Sequence, residues 1–76
     1  MHSVTFSSWA GAALTALEFF VKGKIVLSPS NTFMATPLSA VRASALVEFV
    51  DCNKSDLCLA LYDLKKKIEQ YRPAAV

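Results

Sequence analysis

The side chains that could do chemistry are few. His2 is the only histidine among the 76 residues, and it stands in an amino-terminal stretch of the kind that is poorly anchored. No Ser-His-Asp or Cys-His set can be assembled around it within one chain, and no histidine-based metal site can be built. Cys52 and Cys58 are six positions apart without CxxC spacing or a neighbouring histidine. They read as unpaired structural thiols in a reducing setting, with a disulfide as the alternative. The carboxylates Glu18, Glu48, Asp51, Asp56, Asp63 and Glu69 mostly fall on the polar sides of the helices expected below, with no sign of the raised pKa of a general acid. Gly11 and Gly23 are the only glycines, too few for a phosphate-cradling loop. The residues therefore predict a chain that is not an enzyme, with no catalytic, metal-binding or cofactor-binding residue and no cofactor.

Two sets of cations remain. Lys65, Lys66, Lys67 and Arg72, with Tyr62 and Tyr71 beside them, fit nucleic-acid binding, since ammonium groups pair with phosphates and tyrosine rings stack on bases. The same run also reads as a solvated helix face, because Asp63 lies four before Lys67 and Glu69 four after Lys65. Arg42 projects among Leu38, Ser39, Ala45, Leu46 and Phe49 if that segment is helical, opposite Ser44, Glu48 and Asp51. A guanidinium there must snorkel, pair with a carboxylate such as Glu18, or meet an anion.

The elements that would position these groups follow from periodicity. Residues 1–7 form a short arm, with the alternation of Val4 and Phe6 suiting an extended strand or a frayed end. Ser7 or Ser8 can cap a first helix over Trp9–Lys22, stopped by Gly23. Its polar stripe, Ser8, Gly11, Thr15, Glu18 and Lys22, is so narrow that one neighbouring helix cannot cover the rest. Residues 24–35 contain Ile25-Val26-Leu27, the turn-like Ser28-Pro29-Ser30-Asn31 and then Phe33-Met34, which suits a small hairpin or an irregular connection. Thr36-Pro37 reads as the start of a second helix running to Val50. Asp51–Lys54 links it to a third helix, capped by Ser55 or Asp56, which reaches Tyr71 before Pro73 ends it and leaves a tail at 73–76. Leu57, Leu61, Leu64, Ile68 and Tyr71 form a seam along that helix. The expectation is a mainly α, single small domain over residues 1–76: three helices, the last two as a hairpin, with a β-arm or hairpin only at 24–35.

Composition decides what such a domain would do. Apolar residues make up 54% of the chain, while a domain this short hides only about 60% of the surface of its unfolded form. A leftover apolar patch is expected, formed by Trp9, Leu14, Leu17 and Phe20 of the first helix and by the Leu57–Tyr71 seam. The leading expectation is a helical association module, either a homodimer or a small subunit of a protein complex. The alternatives are an RNA- or DNA-binding dimer using Lys65, Lys66, Lys67 and Arg72, and a peripheral membrane accessory protein. The longest apolar run, Trp9–Val21, falls short of the roughly 20 residues that cross a bilayer. No targeting segment is read, and the expected location is cytoplasmic.

Overall fold

The computed structural model describes residues 1–76 as five elements: α1 (Trp9–Glu18), β1 (Ile25–Pro29), α2 (Ala35–Arg42), β2 (Leu46–Val50) and α3 (Leu61–Tyr71). The two strands are parallel, with Ile25 opposite Leu46 and Pro29 opposite Val50. The architecture is α/β: three helices alternating with two parallel strands in a Rossmann-like arrangement, and not the mainly α domain that periodicity predicts. Three helices do form. The expected hairpin of helices two and three does not, because a strand and a loop lie between them.

The second helix stops early for a local reason. Arg42 is its last residue, Ala43 caps it, and Ser44 turns into the left-handed region at φ 63°. After Ala45, the five residues Leu46–Val50, Leu-Val-Glu-Phe-Val, are rich in β-branched and aromatic side chains that fit a pleated surface. They find an extended partner already waiting in β1. Ile25–Leu27 is therefore a strand, as its composition suggests, but its partner is Leu46–Val50 and not Phe33-Met34. The start also moves: α2 begins at Ala35, with Pro37 inside its first turn.

The other boundaries follow from caps. Ser8 Oγ accepts a hydrogen bond from the Gly11 N–H at 3.2 Å, so α1 starts where the serine pair predicts. It ends at Glu18, four residues short of the expectation, in a turn where the N–H groups of Phe20 and Val21 both donate to the Leu17 carbonyl. Gly23 adopts φ 71° just beyond that turn. The third helix begins only at Leu61. Before it, residues 51–60 fold on themselves: Cys52 bridges Leu59, the Asn53 N–H donates to the Cys58 carbonyl at 2.8 Å, and Leu57 takes φ 59°. At its far end Arg72 is left-handed at φ 46°, and Pro73 follows as expected.

The core gathers where α1, α2 and the sheet meet. Val21, Val26, Ala40, Ala43 and Ala45 form one buried cluster, covered by the half-buried Leu14, Leu17 and Val47 and by Ala74 and Ala75. Leu27, Val21 and Val50 are the largest fully enclosed side chains. Burying each one contributes about 1.5–3 kcal/mol. The carboxy-terminal residues take part in the sheet rather than trailing as a tail. The Ala74 N–H donates to the Ile25 carbonyl at 2.8 Å and the Leu27 N–H to the Ala75 carbonyl at 3.0 Å, on the edge of β1 away from β2. Residues 1–6 carry no regular structure.

Candidate functional site

In a parallel α/β sheet, ligands gather at the carboxyl ends of the strands, where helices begin. The corresponding end of this molecule is built by α1, β1 and α2. A cavity of about 240 Å³ brings Trp9, at the start of α1, together with Ser28 and Pro29 at the end of β1 and Thr36 in the first turn of α2. A second groove, of about 280 Å³, runs between the two helices from Ala10 and Gly11 to Ala35, Leu38, Ser39 and Arg42.

The first turn of α1 presents polar groups to that end. The Ser8 hydroxyl satisfies one of the orphan amides of the helix start, the Gly11 N–H, while its carbonyl accepts the first helical bond from the Ala12 N–H. The N–H groups of Trp9 and Ala10 have no partner within the chain. No acidic residue stands in this turn, so nothing of like charge opposes an anion there. Free amides at the positive end of a helix dipole form a ready anion cradle.

The residues singled out from the sequence are dispersed. On α1, Trp9 is exposed while Leu14 and Leu17 pack on the core, and Phe20 lies exposed beyond the helix. The Leu57–Tyr71 seam is broken: Leu57 sits in the 51–60 loop, Leu61 and Ile68 are exposed on α3, and Leu64 and Tyr71 are half-buried. Arg42 is exposed at the carboxyl end of α2 and lines the interhelical groove without an ion pair to Glu18.

The lysine run divides by role. Lys65 and Lys66 are exposed. Lys67 pairs with Asp63 at 3.0 Å, as the four-residue spacing predicts, and also donates to the Phe49 carbonyl. Asp63 in turn accepts the Asp51 N–H at 2.9 Å. That bond first, and Lys67 second, hold the Asp63 carboxyl below its ordinary range, while Asp63 raises the Lys67 ammonium. The Tyr62 hydroxyl donates to Asp51 Oδ2 at 3.4 Å, and the charge of Asp51 is the main cause of its raised pKa. This network fastens α3 to the end of β2, so Lys67 is a structural cation. Cys52 and Cys58 are both free thiols.

In α/β folds the place where a helix start meets the carboxyl end of a parallel strand is a common seat for phosphate-bearing ligands. The chain is a member of the DegT/DnrJ/EryC1/StrS aminotransferase family, whose profile matches residues 1–76. Nothing comparable was found among curated proteins or among solved structures. Membership overturns the expectation of a non-catalytic helical association module, together with its nucleic-acid-binding and membrane-accessory alternatives. It points instead to an enzyme or a part of one. No helix here is long and apolar enough to cross a membrane.

The family implies pyridoxal phosphate, a cofactor that needs an anion cradle at its phosphate and a lysine amine at its aldehyde. The start of α1 fits the first requirement. The second is not met by these residues, since no lysine lines either cavity that reaches α1. The sequence reading missed the cradle because its donors are backbone amides that any residue type supplies. The available signal was the Ser7-Ser8 cap followed by Trp9-Ala10-Gly11 without an acid, ahead of a strand-helix-strand pattern.

Proposed function

We propose that this chain serves aminotransferase chemistry by holding the phosphate of pyridoxal phosphate at the start of α1. The cofactor supplies the electron sink through which an amino group passes between amino and keto partners. The N–H groups of Trp9 and Ala10 donate to the phosphate, and Ser8 keeps them aligned by capping the same turn. Thr36 and the end of β1 form the opposite wall, and the Trp9 ring covers one side. The residues here orient the group, and the lysine amine falls outside their set. The observation that carries this reading is the family match across residues 1–76, joined to two unpartnered amides at the strand carboxyl end.

Trp9 is the only tryptophan, which makes it a reporter for this end of the molecule. Pyridoxal phosphate is expected to quench its fluorescence saturably, with inorganic phosphate competing and pyridoxal lacking the phosphate much less effective. Equal quenching by pyridoxal and its phosphate, or none by either, overturns the reading.

A further inference from the structure

We propose that the opposite end of the molecule carries a separate binding site for a small dianion of the phosphate monoester class. A cavity of about 540 Å³ opens where β1 and β2 begin and α3 ends. It lies at the amino ends of the strands, away from the cradle at the start of α1. Its volume falls within the roughly 300–1,000 Å³ of small-molecule sites.

The donors converge there from distant parts of the chain. Lys24 precedes β1, Tyr71 closes α3, and Arg72 follows it. No carboxylate lines the cavity, and the one ion pair in the molecule, Lys67–Asp63, leaves both cations free. Two unpaired cations match a doubly charged group, and the forked guanidinium adds a bidentate fit to phosphate oxygens. Ile25, Leu46 and Ala74 supply apolar wall for the rest of the ligand.

The frame under these side chains is fixed by backbone hydrogen bonds. The Leu46 N–H donates to the Lys24 carbonyl at 2.9 Å, the Ala74 N–H to the Ile25 carbonyl at 2.8 Å, and the Arg72 N–H to the Ile68 carbonyl at 2.9 Å. Only the long cationic side chains must order when the dianion enters, which limits the entropic cost of binding.

An amide-resolved NMR titration of the chain with phenyl phosphate at low salt tests the site. The expected result is saturable shifts at Gly23, Lys24, Arg72 and Ala74, with the monoanion phenyl sulfate binding more weakly. Lys24→Gln is expected to weaken binding about tenfold, the equivalent of one charged hydrogen bond. Arg72→Gly is the second variant: it removes the guanidinium at a left-handed position that glycine favours, so the fold persists. Absence of shifts in this region, or undiminished affinity in both variants, overturns the proposal. So do shifts confined to Trp9–Gly11, a result that leaves the cradle reading intact.

Discussion

Gly23 and Ser44 stand face to face in the left-handed region, at φ 71° and 63°, joined by a 2.8 Å hydrogen bond from the Gly23 N–H to the Ser44 carbonyl. One is the residue type suited to that conformation and the other is not, so reciprocal substitutions should have opposite signs. An L-residue in the left-handed region costs about 1–2 kcal/mol. Ser44→Gly removes that strain, while the freer unfolded chain takes back about 0.4–1 kcal/mol. Ser44 is exposed and its hydroxyl makes no hydrogen bond, so no contact is lost. The net gain is about 0.5–1 kcal/mol, a rise in Tm of about 2–8 °C for a domain of this size. Gly23→Ala reverses the terms. Its new Cβ meets nothing within 4 Å, so the loss, again about 0.5–1 kcal/mol, comes from backbone strain alone. Thermal unfolding followed by far-ultraviolet circular dichroism reads both. A lower Tm for Ser44→Gly, or a higher one for Gly23→Ala, refutes the assignment of strain to these two positions.

Two further outcomes follow from the core and the α3 network. Leu27, 1% exposed between the sheet neighbours of β1, should cost about 2–5 kcal/mol when cut to alanine. Against a total of about 4–11 kcal/mol for a chain of this length, Leu27→Ala shifts the urea midpoint far down with the slope unchanged, and a small shift contradicts the packing described. The folded Asp63 value lies below its ordinary 3.8. Its stabilising contribution is therefore complete above the ordinary carboxylate range and lost as pH falls through the lowered value. Asp63→Asn should be less stable at neutral pH and should lose less stability on acidification than the parent; urea titrations across that range that give parallel curves rule this out.

Much of the punctuation of this fold was legible in the sequence, because it depends on neighbours a few residues away. The Ser8 cap, the left-handed Gly23, the Pro73 stop and the Asp63–Lys67 pair are all local. The second strand was not legible. Leu38, Arg42, Leu46 and Phe49 recur at helical spacing, and the same letters from Leu46 onward fit a strand; only the distant β1 decides between them. Register and topology were lost with that choice, and with them the carboxyl end of the sheet. The candidate site could not be read directly because Trp9 and Ala10 contribute amides, which leave no mark in residue type. The expected seam failed at Leu57, which takes a positive φ in the loop ahead of a helix that begins only at Leu61.

The bridge that pairs Val26 with Ala75 spans 49 positions and has a bearing on synthesis. A ribosome extends a chain by about 5–20 residues each second, so Ile25-Val26-Leu27 emerges seconds before the segment that will shield its outer edge. During that interval a bare, greasy strand is open to pairing with other nascent chains. Expression at lower temperature, or in the presence of a holdase chaperone, should then raise the yield of dispersed protein.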